Sequence, residues 1–191
     1  MDAYVFLRDL SAPTLAVLSD LVSEEQGSDG PRIRAVATTT GQYDAIAFVE
    51  GSSIAELQDV VMNEIRGKAG AAFSETSIRV EVPEPDEESS WILPMAPKRR
   101  LVADQEAFVL VGVDTGRVVD VYAAFADSES GLPGLLGAAV ITGEYDILVE
   151  LGASSFEELS KDVLAVGSFD GVASTETLFA NFVASPSDLM A

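Results

Sequence analysis

The chain of 191 residues contains no cysteine and no histidine. The first absence removes disulfides, thiolate nucleophiles and most structural zinc sites. The second removes the commonest general base, the commonest metal ligand and the usual haem ligand. Catalysis would have to rest on carboxylates, lysine or tyrosine. Basic residues are scarce too: 11 Lys and Arg stand against 32 Asp and Glu, a net charge of −21. From residue 105 onward only Arg117 and Lys161 oppose the acids. A field of that sign repels phosphate backbones, so no direct nucleic-acid partner is expected; the acidity serves solubility or a salt-rich cytoplasm. No apolar run reaches the length of about 18 residues that a membrane helix needs, and Met1-Asp2-Ala3 opens no signal peptide. A cytoplasmic protein without a membrane partner is therefore expected. There is no Walker loop, no Gly-x-Gly-x-x-Gly after a strand, no calcium loop and no nucleophile elbow. No catalytic residue, metal or cofactor is expected, and the acidic runs Asp86-Glu87-Glu88 and Asp127-Ser128-Glu129 read as solvated loops.

What the chain does have is a duplication. "TTGQYDAIAFVEGSSIAELQD" from Thr39 and "ITGEYDILVELGASSFEELSK" from Ile141 align without a gap at an offset of 102 residues. A period near 100 with 48% apolar residues gives two small domains, each able to bury a core. The boundaries fall at 1–82 and 105–185, with a linker at 83–104 and a C-terminal tail at 186–191. Four prolines, an acidic patch and Lys98-Arg99-Arg100 mark the linker. Trp91-Ile92-Leu93 would pin it against one domain.

Each copy reads as the same order of elements. Apolar strands open them, Ala3 to Leu7 and Ala107 to Val111. A helix follows. In copy one Ser11 caps it, Pro13 sits in its first turn, and Leu15, Leu18, Leu21 and Val22 form the apolar stripe. In copy two Asp114 or Thr115 caps it, with Val118, Val119, Tyr122 and Phe125 as the stripe. Two strands then flank a hairpin, Ile33 to Thr39 with Tyr43 to Glu50, and Leu135 to Thr142 with Tyr145 to Leu151. Gly41 and Gly143 supply the backbone freedom of the turn. Ser53-x-x-Glu56 and Ser155-x-x-Glu158 are capping boxes that start a second helix. Last strands run from Ser74 to Val82 and from Thr175 to Val183. The order β-α-β-β-α-β is the ferredoxin-like unit, present twice in an α+β chain.

Thr-Gly-x-Tyr-Asp at the hairpin, with Ser/Thr-Glu-Thr opening the last strand, resembles the ligand-binding half of AsnC/Lrp regulators. The likeness is closest from Ala107 to Phe182 and looser from Ala3 to Val80. It implies two antiparallel sheets packed as a pseudo-dimer within the chain, a homo-oligomeric ring of such pseudo-dimers, and an amino acid or similar metabolite as ligand. Family members normally carry a helix-turn-helix; no such segment reads in this sequence, which implies a sensor working through a protein partner or an assembly. Carried over residue by residue, the implied pocket is Gly41, Tyr43, Asp44 and Thr76 in copy one and Gly143, Tyr145, Asp146, Thr175 and Thr177 in copy two. Asp146 would face the ligand's ammonium group, and copy two would keep the better site. Taken singly, the same residues also suit a plain turn. The expected chain is a binding protein and not an enzyme. The alternatives are an enzyme of the dimeric ferredoxin-like type, such as a small monooxygenase, and a structural homologue without a ligand.

Overall fold

In a computed structural model of the chain, the residues described are 1–24, 30–82, 94–95, 103–126 and 132–184. They form two compact units, one built on Met1–Arg79 together with the chain from Ala180 and the other on Val80–Phe179.

Unit 1 comprises β1 (Asp2–Arg8), α1 (Ala12–Glu24), β2 (Arg32–Thr40), β3 (Ala45–Glu50), α2 (Ile54–Asp59), a π-helical continuation (Val60–Lys68) and β4 (Phe73–Ile78). Its strands are ordered β4-β1-β3-β2, antiparallel at each pairing. Strand residues alternate between faces. Val5 and Leu7 of β1 and Ala45, Ala47 and Val49 of β3 face the helices, where Leu18, Leu21, Val22, Leu57 and Ile65 cover them. Tyr4 and Phe48, stacked at 5.3 Å, lie on the other face. Ser11 caps α1 as expected, its Oγ accepting from the Thr14 N–H at 3.3 Å.

Unit 2 comprises β5 (Gln105–Val113), α3 (Val118–Ala126), β6 (Leu135–Val140), β7 (Ile147–Ala153), α4 (Phe156–Val166) and the part of β8 (Val172–Ala184) up to Phe179. Its strand order, β8-β5-β7-β6, repeats that of unit 1. The core gathers Val109, Val111, Ile147, Val149 and Leu151 under Val121, Tyr122, Phe125, Leu159 and Val166. Even the irregularities are copied: the β2/β3 register shifts between Ile33 and Ala35, and the β6/β7 register between Leu135 and Gly137, 102 residues on. Two tandem ferredoxin-like βαββαβ units of α+β class are thus present.

The structure corrects several local expectations. Neither Asp114 nor Thr115 caps α3: a turn intervenes, with the Arg117 N–H donating to the Asp114 carbonyl at 3.0 Å and Gly116 at φ 82°. The helix starts at Val118, so its buried stripe includes Val121 in place of Val119, which is 53% exposed. The strand β4 stops at Ile78 and not at Val82. Arg79 beyond it still bonds to Asp2, its N–H donating to the carbonyl and its Nη1 to the carboxylate, each at 2.9 Å. The serine half of each capping box forms as expected, and the glutamate half is displaced by one residue. Ser53 and Ser155 accept from Glu56 and Glu158 N–H at 3.3 Å, while Glu56 takes the Ser52 N–H at 2.7 Å and Glu158 the Ser154 hydroxyl at 2.6 Å.

The helix of unit 1 also widens where its counterpart does not. From Ser53 to Glu75 is 22 residues, and from Ser155 to Glu176 is 21. The extra residue of copy one lies between Ser53 and Glu75, and a π-helix is how a helix absorbs one residue without unfolding. The Ala69 N–H accordingly reaches back five residues to the Glu64 carbonyl, at 2.9 Å.

Linker residues Trp91-Ile92-Leu93 and Lys98-Arg99-Arg100 lie outside the described residues, as do both acidic loop runs. Met95 is described and fully buried at φ 63°. Its N–H donates to the buried Glu150 carboxylate at 2.6 Å, so unit 2 does hold a linker residue, through a charge-assisted bond.

Candidate functional site

The two hairpins are built alike. In each, the turn carries a glycine with positive φ, 140° at Gly41 and 120° at Gly143, where a side chain would be strained. The Thr39 N–H donates to the Asp44 carbonyl at 2.8 Å and the Ile141 N–H to the Asp146 carbonyl at 2.9 Å. Both aspartates then reach sideways. Asp44 Oδ2 accepts from the Leu10 N–H at 2.9 Å, and Asp146 Oδ2 from the Val113 N–H at 2.8 Å. Each carboxylate therefore staples its hairpin to the end of the opening strand. Asp146 was expected to face a ligand's ammonium group; an oxygen of it is held by backbone.

The tyrosines point elsewhere. Tyr43 is 1% exposed and its hydroxyl donates to Glu75 Oε2 at 3.0 Å. The Tyr145 hydroxyl donates to Glu176 Oε2 at 2.7 Å. Glu75 and Glu176 are the central residues of Ser/Thr-Glu-Thr, which explains why that tripeptide recurs. The threonines beside them do something different. Glu75 pairs with Phe6, and Thr76 with Val5; paired residues share a face. Tyr43 and Glu75 thus lie on the face away from the helices, and Thr76 lies on the helix side. In unit 2 the same alternation puts Thr175 and Thr177 opposite Glu176, and Thr175 sits near the end of α4, its Oγ1 3.7 Å from where a Gly167 Cβ would be. The sheet divides the expected constellation in two.

On the tyrosine side, unit 1 has a hollow of about 160 Å³ lined by Phe6, Arg8, Tyr43, Phe73, Ser74 and Glu75. The Arg8 guanidinium carbon is 4.5 Å from the Tyr43 ring centre, a cation–π contact. Burial raises the Tyr43 phenol above its ordinary range; the Arg8 hydrogen bond opposes that and Glu75 adds to it. A protonated phenol, a carboxylate and a guanidinium side by side form a donor set of both signs, suited to a small zwitterion. Arg8, Phe6 and Glu75 were not among the expected site residues. Glu75 had a sequence signal, the repeated tripeptide; Arg8 had none, because its counterpart in unit 2 is Gly112. A Cβ at Gly112 would come 2.5 Å from Ser174 Oγ, so no cation can stand there without rearrangement.

On the helix side of unit 1 lies a groove of about 440 Å³ between α2 and β4, with Thr76 in its wall. Among the described residues no group of three or more Asp or Glu could hold a metal. No helix among them is long and apolar enough to cross a membrane.

Residues 106–181 match the Lrp/AsnC ligand binding domain. The second repeat thus carries a match to a small-molecule-binding domain of regulatory type. No curated protein matches the sequence. Among solved structures, a protein from Thermus thermophilus shares 33% identity over 41% of this chain and 94% of its own, at TM-score 0.37. The siroheme decarboxylase NirDL shares 14% identity over 97% of this chain and 72% of its own, at TM-score 0.66. An anthrone oxidase-like protein shares 11% over 97% and 92%, at TM-score 0.52. These last two establish a common fold that spans both repeats. They also correct the expectation that the chain is not an enzyme: the architecture it shares is one on which a decarboxylase is built, and catalysis is an open property of this fold.

Proposed function

We propose that the chain senses an amino acid or a similar zwitterionic metabolite, in the cytoplasm and as part of a homo-oligomer, and passes the signal to a protein partner. The observation that carries this reading is the tyrosine-to-glutamate hydrogen bond beside each hairpin glycine, at 3.0 and 2.7 Å. It recurs in both units, and in unit 1 Arg8 completes it with a positive charge. Glu75 offers acceptors to an ammonium group and Arg8 offers donors to a carboxylate. The hollow is small for a drug-like ligand, and a molecule of amino-acid size suits it. The net charge of −21 supports relay through protein contacts over direct DNA contact.

Isothermal titration of the chain with each of the twenty amino acids tests this. A binder should appear at or below millimolar concentration, and Glu75→Gln or Arg8→Met should weaken it roughly 10- to 150-fold, the equivalent of one charge-assisted bond. Glu176→Gln reports in the same way on unit 2. If no amino acid binds, or if all three variants bind like the wild type, the site assignment fails. A second reading, catalysis in the same hollow, is favoured by the full-length likeness to a decarboxylase. Mass spectrometry of each bound amino acid after prolonged incubation separates the two: unchanged ligand supports sensing, and a new product supports turnover.

A further inference from the structure

The groove on the helix side of unit 1 opens on the other face of the sheet from the tyrosine hollow, with Ser74 of β4 bordering both. Its walls are Ile54, Leu57, Val61 and Met62 from the second helix and Thr76 and Ile78 from β4. Ile54 and Met62 are 51% and 55% exposed, and their unit 2 counterparts Phe156 and Leu164 are 58% and 74% exposed, so both copies hold large apolar side chains at this rim. At about 440 Å³ the groove falls within the range of small-ligand pockets, roughly 300–1,000 Å³. Among the described residues, no charged side chain lines it.

Unit 2 shows what that space accepts. The residues equivalent to Ile54 and Ile78 are Phe156 and Phe179, whose rings meet at 5.3 Å and bridge α4 to β8. Phe179 and Val163 pack onto the core there. Copy one has neither phenyl ring. It also has the extra residue that widens its helix into a π-helix along the same wall, at Val60–Lys68. The missing rings and the π-helix thus fall along the same wall of the groove.

We propose that the α2–β4 groove of unit 1 binds a neutral aromatic small molecule, whose ring stands where the Phe156–Phe179 pair bridges helix and strand in unit 2. The Thr76 hydroxyl and Gln58 amide at the wall supply a hydrogen bond for a single polar group on the ring. The absence of charge in the lining selects against carboxylate or ammonium groups, whose burial without a partner is costly.

Indole and phenol are the probes. Titration of the full chain with each should give saturable binding at one site per chain. Ile54→Phe, Ile78→Phe and the double variant restore the unit 2 arrangement and should weaken binding by roughly tenfold or more. Ile54 is half exposed, so Ile54→Phe leaves the core intact and keeps the test valid if Ile78→Phe does not fold, as judged by circular dichroism. Tyr43→Phe should leave the affinity unchanged, which makes failure here distinguishable from failure of the tyrosine hollow. Absence of saturable binding at millimolar probe overturns the proposal. So does equal binding by wild type and double variant. Self-association that Ile54→Phe abolishes and indole does not compete would assign the groove to a second copy of the chain, and would overturn it too.

Discussion

Replacing Asp146 by alanine separates the two roles its sequence context allows. Its carboxylate accepts from the Val113 N–H at 2.8 Å, while its own N–H and carbonyl are engaged by Val111 and Ile141 at 2.9 Å. Asp146→Ala keeps both backbone bonds and deletes the staple. A hydrogen bond to a charged acceptor contributes about 1.5–3 kcal/mol. Val113 is half-buried, so water regains part of its orphaned amide and the lower half of that range, about 1.5–2 kcal/mol, is expected. For a chain of this size each kcal/mol moves Tm by roughly 2–4 °C, so the midpoint should fall by roughly 3–8 °C. Asp146→Asn retains an acceptor oxygen and should lose less than about 1 kcal/mol. Urea midpoints at constant m, read alongside calorimetry, measure both variants. An alanine variant within about 0.5 kcal/mol of wild type would refute the staple, that being the ordinary scatter of surface substitutions. Asn and Ala variants of equal cost would refute the part assigned to the acceptor.

Two further predictions concern the loop before β6. Burial raises the Asp162 carboxyl above its ordinary range, against the Gly134 N–H that donates to it at 3.1 Å. The folded state therefore holds this proton more tightly than the unfolded chain, so Asp162 contributes stability in full below the ordinary aspartate range, and the contribution is lost as pH rises through its raised value. Asp162→Asn should flatten the pH dependence of the urea midpoint in that window; an unchanged slope counts against the assignment. Gly134→Ala places a Cβ 2.7 Å from the Gly152 carbonyl oxygen and against the Asp162 carboxylate. Because the backbone cannot yield cheaply, a loss of about 1–3 kcal/mol in the same denaturation is expected, and a neutral result would mean that the loop moves freely.

Much of this architecture was legible because periodicity and turn chemistry agree. Strand alternation at Val5 and Leu7, the capping serines Ser53 and Ser155, and the hairpin glycines each act locally, within a few residues, and the second copy repeated every one. What the sequence concealed was longer in range. Nothing local says that Arg117 must close a turn before α3 starts, or that one residue more between Ser53 and Glu75 would be absorbed as a π-helix. The site suffered most from this. Adjacent residues of a strand look like neighbours in a sequence, yet Glu75 and Thr76 project to opposite sides of the sheet. A motif read as one pocket is two surfaces. Arg8 lies far from Tyr43 along the chain and has no echo in the second copy, so no repeat comparison could have raised it.

The divergence of the repeats carries the remaining argument. Positions that maintain the hairpin hold in both copies: the positive-φ glycine, the stapling aspartate and the tyrosine-glutamate bond. Positions around them have separated in complementary directions. At the tyrosine face copy one has a guanidinium where copy two has Gly112, at which any side chain would first have to turn the Ser174 hydroxyl aside. At the helix face copy two has a pair of touching phenyl rings where copy one has two isoleucines and a groove. Both changes give unit 1 a hollow or groove with its own chemistry, and unit 2 carries different side chains at the same places. A fold needs the shared set twice to make two units; it does not need Arg8 or an empty groove at all. Residues that stability does not require, gathered in one unit and on both faces of its sheet, make unit 1 the half of the chain in which ligand recognition should be sought first.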